Sequence, residues 1–207
     1  MTGKFRVVLA TRNNGKVEEF RRILEEHAAG EIDLLGLNNF PEMPEVEENG
    51  STFLENALKK ALETATYTQL PAIADDSGIC VDYLKGMPGI FSARWAGIHG
   101  DDQANLQKLL DELSDVADEE RDAQFRCVVA LAHPNGEYIW EEGVVEGVIT
   151  RSPVGNNGFG YDPIFQPSGF SLTTAQMSAI EKDEISHRGK ALRAITSRIT
   201  PFLTALG

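Results

Sequence analysis

The sequence predicts an α/β protein built on a mixed β-sheet with flanking helices. Residues 5–10 form a near-continuously apolar run, which is typical of a central strand covered on both faces. A polar turn and a helical pattern follow this run directly. Two long β-type runs, 123–132 and 138–150, are joined by a segment containing Asn135-Gly136, which predicts a hairpin with antiparallel pairing. The sheet is therefore mixed, and it differs from a purely parallel dinucleotide-binding sheet.

The first strand leads into a polar loop that precedes the first helix. The loop consists of Thr11, Arg12, Asn13, Asn14, Gly15 and Lys16. A strand, a Gly-containing turn and a helix direct free backbone N–H groups and the helix dipole at an anion, and Lys16 adds a point charge. The G-x-x-x-x-G-K spacing of a Walker loop is absent. An Asn-rich helix cap with a solvated lysine is the alternative, and the loop alone leaves both interpretations open.

The second predicted helix begins with the capping-box pattern of Thr52 and Glu55. Asn56 and Lys60 are four residues apart, so they stand on one face of this helix, where they either line a cleft or face solvent. Glu48 lies just ahead of the helix. It is the acid best placed to share a metal with a pair of acids further along the chain.

That pair of acids lies in an apolar segment, residues 71–81. The run 72–74 leads to Asp75, Asp76 and Ser77, and Gly78 is expected to form a turn at the end of the strand. Two adjacent carboxylates repel each other, so a fold that crowds them usually supplies a cation. A solvated turn of ordinary Asp, Ser and Gly residues is the alternative.

A second distinctive loop, residues 155–163, contains three glycines and two aromatic residues. Glycine permits close approach of a ligand, and Phe159 and Tyr161 offer flat surfaces on which a base can stack. A Gly-rich hairpin with buried aromatic side chains is the alternative. In an earlier Gly- and Pro-rich segment, residues 86–97, Arg94 is a candidate anion ligand.

The remaining elements follow from periodicity and turn residues. They are a weak strand at 32–37, a loop at 38–49, a helix at 101–113, an acidic connection at 114–122, a short strand at 164–165, a helix at 172–180, a polar turn at 181–189 and a last helix. The last helix buries Leu192, Ile195, Ile199 and Leu203. Pro201 is expected to kink or interrupt it near its end.

Composition restricts the partners and the compartment. The 207 residues include 32 acids against 19 Lys and Arg, a formal charge of −13, which argues against binding to nucleic acid or to an anionic membrane. No stretch approaches the about 20 apolar residues of a membrane span, and the N-terminal apolar run is too short for a signal peptide. We therefore expect a cytoplasmic protein. Cys80 and Cys127 lie in apolar runs and are expected to be buried hydrophobic residues.

Acids, cations and an aromatic Gly-rich loop together suit one kind of chemistry. A divalent metal held by carboxylates neutralises phosphate oxygens, lysines stabilise developing charge, and a carboxylate accepts a proton from water. The combination predicts attack of water on a phosphate ester or anhydride. A serine hydrolase is disfavoured because no G-x-S-x-G motif is present and Ser77 has no evident base.

Six motifs carry a resemblance to a known family. They are TRNNGK at 11–16, TFLENA at 52–57, ADDSG at 74–78, PGIFSAR at 88–94, FGYDP at 159–163 and ISHRG at 185–189. In this order they resemble the inosine/xanthosine triphosphate pyrophosphatase family. The resemblance implies a two-lobed α/β fold with a long mixed central sheet, flanking helices and an active-site cleft between the lobes. Residues 1–207 would then form a single nucleoside-triphosphate pyrophosphatase domain.

The resemblance also implies an activity. Enzymes of this family hydrolyse dITP, ITP and XTP to the monophosphate and pyrophosphate, which removes deaminated purine nucleotides from the precursor pool. The reaction would depend on Mg²⁺, with Mn²⁺ as an alternative ion, and the protein would be a homodimer. Its partner would be a small-molecule nucleotide, without direct binding to nucleic acid or membrane.

The resemblance also implies roles for individual residues of this sequence. The triphosphate would be bound by residues 11–16 and Lys60. The metal would be held by Glu48 and Asp76, with Asp76 also a candidate general base. Asp75 and Ser77 would support it, so the catalytic set is Asp76, Asp75, Lys16 and Lys60. The base would be enclosed by Phe159, Gly160, Tyr161, Asp162, Lys182, His187 and Arg188.

On this mapping the choice of base has a physical explanation. Hypoxanthine and xanthine carry a 6-keto acceptor where adenine carries an amine, so donors from His187, Arg188 or backbone N–H groups would reject ATP. Discrimination by such a buried mismatch can reach ~10⁴-fold or more. Guanine shares the keto group and must be excluded at its 2-amino group. One departure from the family pattern is Gln176, which stands where many relatives have Glu. The segment 166–172 also looks short.

Two other functions remain open on the sequence. One is a regulatory protein that binds nucleotides without turnover, although mere phosphate binding gains nothing from extra acids. The other is a hydrolase of similar architecture that acts on modified pyrimidine or methylated nucleotides. A scaffold role is the least favoured, because two polar Gly-rich loops make a poor packing surface.

Overall fold

We describe the protein from a computed structural model, which describes residues 4–27 and 30–206. The chain divides into two compact units. The first unit comprises the residues up to Asp76, Cys127–Gly143 and the residues from Arg188 onward. The second unit comprises Ser77–Arg126 and Val144–His187.

Strands and helices alternate along the first half of the chain, as predicted. The strands are β1 (Phe5–Leu9), β2 (Ile32–Gly36), β3 (Ala72–Val81), β4 (Met87–Pro88), β5 (Asp122–Ala132), β6 (Tyr138–Ile149) and β7 (Phe165–Pro167). The helices are α1 (Asn14–His27), α2 (Phe53–Thr68), α3 (Asp102–Glu112), α4 (Ala179–Ile185) and α5 (His187–Leu206). Short 3₁₀ turns lie between them, among them Gly89–Arg94 and Thr174–Gln176.

The sheet is mixed, which confirms the predicted fold class. Its strand order is β2-β1-β3-β5-β6-β7, and β4 pairs with β3. β1 is parallel to β2 and β3, whereas the β3–β4 and β6–β7 pairs are antiparallel. The predicted Asn-Gly hairpin connects β5 and β6: His133 N donates to Glu137 O at 2.8 Å, and Gly136 has φ +94°.

The first unit has a hydrophobic core on each face of its strands. Val7 and Leu9 belong to one core with residues of α1 and α5, and Val8 belongs to the other core with α2. This alternation confirms that the first strand is covered on both faces. The α2 side is lined by small residues at helical spacing, namely Ala57, Ala61 and Ala65. Small side chains let a helix approach a sheet closely.

The second unit has its own core. Residues of β3, α3, β5 and β6 meet there, with Leu109, Leu113, Ile164 and Phe165 fully buried. Cys80 and Cys127, one in each unit, are free and buried, as expected. Of the residues that the structure describes, no helix is both long and apolar enough to cross a membrane.

The predicted turn at Gly78 is wrong, because β3 continues from Ala72 to Val81 without a break. Asp75 and Asp76 therefore lie within a strand and not at its end. Gly78 serves close packing instead: a Cβ there would lie 2.2 Å from Gly89 O and 2.5 Å from Ser92 Oγ. A glycine that admits a neighbouring backbone looks like a turn residue in the sequence.

Three C-terminal predictions also need correction. The predicted helix at 172–180 is a 3₁₀ turn followed by the start of α4, and the predicted polar turn at 181–189 consists of α4 and the start of α5. A capping box begins α4, in which Ser178 Oγ accepts from Glu181 N and Glu181 accepts from Ser178 N. Pro201 does not interrupt α5, which continues to Leu206.

Candidate active site

The loop after β1 caps the first helix of the first unit. Asn13 Oδ1 accepts from Lys16 N at 3.1 Å, and Thr11 Oγ1 accepts from Asn13 N at 3.2 Å. Arg12 donates to Met43 O at 2.8 Å and so ties this loop to the segment before α2. Asn14 and Gly15 are the first two residues of α1. The predicted Asn cap is therefore present, and a capped first turn is compatible with anion binding at the same helix end.

Lys16 is not a solvated lysine, since its Nζ lies 3.0 Å from Asp75 Oδ2. Asp75 is only 2% exposed, and the same oxygen accepts from Arg188 Nε at 3.2 Å. Arg188 Nη1 also donates to Glu19, another buried acid. Burial would raise the pKa of Asp75, but the positive charges of Lys16, Arg188 and Lys60 outweigh it and hold that pKa well below its usual value. The ionised form of Asp75 is therefore strongly favoured.

Asp76 lies on the opposite face of β3, toward α2, because side chains alternate along a strand. Asn56 Nδ2 donates to Asp76 Oδ2 at 2.9 Å, and on the same helix face Lys60 Nζ lies 2.5 Å from Glu48 Oε1. Burial raises the pKa of Asp76 to about 6; Lys60 opposes the rise and the Glu48 carboxylate adds to it. Despite its own burial, Lys60 has a raised pKa because Asp76, Asp75 and Glu48 surround it.

This set of donors fits a magnesium ion. Glu48 and Asp76 are close enough for their charges to interact, and both offer only oxygen ligands. Within the described part of the chain, no three His, Cys, Asp or Glu residues form a metal cluster. Mg²⁺ is commonly held by one or two carboxylates together with substrate phosphates, so a two-carboxylate site matches its needs.

In the second unit, the Gly-rich loop is organised by Asp162. Its buried carboxylate accepts from Lys182 Nζ at 2.5 Å, from Phe159 N at 2.8 Å and from Thr174 Oγ1 at 2.9 Å. Gly158 has φ +76°, and a Cβ there would lie 2.1 Å from Asp162 Oδ2. The Asp162 carboxylate therefore holds the loop in place through these hydrogen bonds, and little of its own surface is exposed to a ligand.

The aromatic residues of this loop differ from each other. Tyr161 was expected to stack on a base, but its ring is buried in the core and its hydroxyl donates to Ser92 O at 2.9 Å. Phe159 is half-buried, and Lys182 Nζ lies 4.9 Å from the centre of its ring. Gly160 has φ +60°, and its N–H donates to Asp102 at 2.9 Å. The alternative of buried aromatic side chains is thus correct for Tyr161 and wrong for Phe159.

A small pocket beside this loop has about 10 Å³ of internal space, enough for about one water molecule. It is lined by Phe125, Val145, Asp162, Phe165, Thr174, Lys182, Ile185, Ser186 and His187. The His187 ring stacks on Phe125 with 4.7 Å between ring centres and 7° between planes. The pocket therefore combines a lysine, a histidine and aromatic surface.

Other predicted residues occupy different surroundings. Arg188 was expected to read the base, but it belongs to the first unit and its guanidinium contacts the carboxylates of Asp75 and Glu19. Ser77 is half-buried in β3. Gln176 Oε1 accepts from Thr173 N at 3.0 Å in a capping box, a role that an amide fills as well as a carboxylate does.

Two residues that contact predicted site residues, Glu19 and Phe125, were not predicted from the sequence. Glu19 looks like a surface acid, although it stands four residues before Ile23 on the buried face of α1 and is itself buried. Phe125 looks like an ordinary strand residue. The four-residue spacing from Glu19 to Ile23 was the sequence signal for the burial of Glu19, whereas nothing in the sequence links Phe125 to His187.

In the first unit, an anion-directed loop adjoins buried carboxylates and lysines, and in the second a pocket combines aromatic and cationic side chains. These features are those of an enzyme that has an α/β fold and hydrolyses nucleotide phosphates. Comparison with known proteins agrees: a model of the Ham1 family matches residues 7–198. The chain belongs to the Ham1 family.

Individual relatives support this assignment over nearly the whole chain. The dITP/XTP pyrophosphatase of Streptomyces coelicolor is 54% identical over 96% of this chain and 98% of its own. The dITP/XTP pyrophosphatase of Streptomyces avermitilis is 52% identical over the same shares. A solved HAM1 protein from Coxiella burnetii is 42% identical, with a TM-score of 0.85 over 95% of this chain and 99% of that one.

Proposed function

We infer that this protein is a nucleoside-triphosphate pyrophosphatase that hydrolyses dITP, ITP and XTP to the monophosphate and pyrophosphate. The observation that carries this inference is the pair of buried acids on opposite faces of β3, both of which lie close enough to Lys16 and Lys60 to interact with their charges. The relatives named dITP/XTP pyrophosphatase cover the chain almost completely and point to the same activity.

The first unit is assigned to the triphosphate. The N-terminus of α1 presents backbone N–H groups, and Lys16 and Lys60 supply positive charge beside it. Each lysine already neutralises a carboxylate, which keeps its ammonium fixed in place before a nucleotide arrives. Fixed charges stabilise a transition state better than mobile ones, because they need no reorganisation during the reaction.

We assign Glu48 and Asp76 as the residues that hold Mg²⁺, with Mn²⁺ as an alternative ion. When bound, such an ion neutralises phosphate oxygens and polarises the phosphorus for attack. In the metal-free protein Asp76 is also the better proton acceptor of the two acids, since its pKa of about 6 lies closer to neutral pH than that of Asp75. Asp75 stays ionised beside Lys16 and Arg188, and we propose that it fixes Lys16.

We assign the base to the surface of the second unit at this pocket, which alone has too little space for a purine. Lys182 and His187 offer donors to the 6-keto oxygen of hypoxanthine or xanthine, and the Phe159 ring offers a stacking surface. The 6-amino group of adenine would meet these donors with another donor, which is a costly mismatch when buried. Asp162 lines this pocket and also holds the loop, whereas Tyr161 supports the pocket only by holding the loop.

Several further expectations extend this proposal to the whole protein. We propose that residues 1–207 act as a single pyrophosphatase domain and that the active protein is a homodimer in the cytoplasm. The formal charge of −13 supports a small-molecule substrate over direct binding to nucleic acid.

Site variants test the proposal directly. Pyrophosphate released from dITP is measured for the wild type, Asp76→Asn and Lys16→Ala, with Mg²⁺ and with EDTA in its place. Each variant should lose at least about 100-fold in kcat/KM, because Asp76→Asn removes a metal ligand and proton acceptor and Lys16→Ala removes a positive charge that stabilises the transition state. Arg21→Ala is the matched control, since Arg21 is exposed on α1, the same helix as Lys16, and has no part in the assigned site. A variant of Asp76 or Lys16 with near-normal kcat/KM would refute the site assignment.

A further inference from the structure

Asn56 occupies an unusual place on α2. It is completely buried, whereas the other buried residues of α2 are three alanines and one threonine. Its amide uses both ends: Nδ2 donates to Asp76 Oδ2 at 2.9 Å, and Oδ1 accepts from Gly50 N at 2.8 Å. One planar group thus connects a carboxylate of β3 to the backbone of the segment before the helix.

That segment carries Glu48 two residues before Gly50 and is shaped to receive the amide. A Cβ at Gly50 would lie 2.7 Å from Asn56 Oδ1 and 2.8 Å from Glu55 Cβ, so only glycine lets the backbone come this close. α2 holds the same segment at further points, with Lys60 on Glu48 at 2.5 Å and Lys59 on Asn49 at 2.9 Å. Among these three contacts between α2 and the segment, only the one made by Asn56 comes from a completely buried side chain.

We infer that Asn56 is a positioning residue, which locks the Asp76 carboxylate and the Glu48 segment into one arrangement before metal and nucleotide bind. This inference rests on the proposed function, in which Glu48 and Asp76 form the metal pair. The role needs a donor and an acceptor on one short side chain, and asparagine supplies both. Aspartate keeps the acceptor and loses the donor, whereas alanine loses both.

The consequence for the reaction is specific. If Asn56 sets the relative position of the two carboxylates, then without it their alignment must be achieved while the metal binds. Removal of the amide should therefore raise the metal concentration that the enzyme requires and lower kcat. The KM for nucleotide at saturating metal should change little, because the side-chain hydrogen bonds of Asn56 go to Gly50 and Asp76, and neither belongs to the anion loop or the base pocket.

Hydrogen exchange tests the link without metal, nucleotide or turnover. The exchange rate of the Gly50 amide is measured by NMR in the full-length protein for the wild type, Asn56→Ala and Thr64→Ala. Thr64 is a matched control because it is equally buried on α2 and its hydroxyl has no hydrogen-bond partner among the described residues. Loss of one buried hydrogen bond should accelerate Gly50 exchange by about tenfold in Asn56→Ala. Equal exchange in Asn56→Ala and Thr64→Ala would overturn the inference.

Kinetics with dITP provide the second readout. We expect the Mg²⁺ concentration at half-maximal rate to rise by about tenfold in Asn56→Ala, with kcat lower by a similar factor and the KM for dITP within about twofold. Thr64→Ala should match the wild type in all three. A lower melting temperature with unchanged metal dependence would show that Asn56 is only structural.

A third variant separates the two bonds and covers the case in which Asn56→Ala does not fold. Asn56→Asp keeps the size of the side chain and the acceptor for Gly50, so its Gly50 exchange should resemble the wild type while kcat falls. Normal kcat in this variant would overturn the role toward Asp76. If the wild type itself releases no pyrophosphate, the proposed function fails, and the kinetic part of the inference fails with it. The exchange comparison would still report whether the link exists.

Discussion

The buried ion pairs of Arg188 yield the sharpest stability prediction. Arg188 is 2% exposed and contacts two carboxylates that are also buried, Glu19 and Asp75. Arg188→Met removes the positive charge and keeps much of the volume, so that two buried acids lose a partner. Breaking a buried pair costs about 3–5 kcal/mol in the free energy of unfolding.

The same helix offers a matched control. Arg198 on α5 pairs with Glu141, but both side chains are substantially exposed. Exposed pairs contribute about 0–1 kcal/mol, so Arg198→Met should be close to neutral. The charge removed, the side-chain change and the helix are the same in both variants, and only the burial of the pair differs.

Urea denaturation without metal measures both variants. The expected difference between them is at least about 2 kcal/mol, seen as a lower midpoint for Arg188→Met with a similar slope. Adding Glu19→Gln to Arg188→Met should recover part of the loss, because it removes one of the stranded charges. Equal stability of Arg188→Met and Arg198→Met would refute the claim that Arg188 holds the buried acids.

Three further predictions concern other sites. Gly78→Ala should lower the free energy of unfolding by about 3 kcal/mol in urea denaturation, because its Cβ would overlap Gly89 O at 2.2 Å; an unchanged midpoint would contradict this close approach. Thr64→Val should raise the free energy of unfolding by up to about 1 kcal/mol, since it replaces a buried hydroxyl that has no partner among the described residues, and a clear loss would contradict the prediction. Lys182→Met should raise the KM for dITP by about tenfold with kcat less affected, measured by steady-state kinetics, and an unchanged KM would remove Lys182 from the base pocket.

Local chemistry made much of the fold predictable. Asn135-Gly136 predicts its hairpin because few residues adopt the required backbone angles, and Thr52 caps α2 because its hydroxyl satisfies a free N–H of the first turn, as the bond from Glu55 N confirms. The apolar run of β1 is buried on both faces for a similarly local reason: it contains no polar face to present. Ser178 followed by Glu181 carries the same kind of signal at the start of α4, which the predicted helix at 172–180 missed.

The failures have a different physical origin, since they depend on contacts between distant residues. Gly78 resembles a turn residue, and only the position of Gly89 shows that it admits a neighbouring backbone. Arg188 lies 113 residues from Asp75, so no spacing rule reveals their pairing. Tyr161 stands in a motif that suits base stacking, yet its ring is required by the core. Motifs therefore indicate which residues matter, while their individual tasks depend on the tertiary structure.

The central claim is that this protein cleaves deaminated purine nucleoside triphosphates between the α and β phosphates. The most direct test incubates the purified wild type with dITP, XTP, dGTP and dATP, with Mg²⁺ and with EDTA in its place, and quantifies pyrophosphate and orthophosphate separately. We predict pyrophosphate and the monophosphate from dITP and XTP, only with the metal, and at least about 100-fold less from dGTP and dATP. Orthophosphate as the main product, or equal turnover of dATP, would contradict the account.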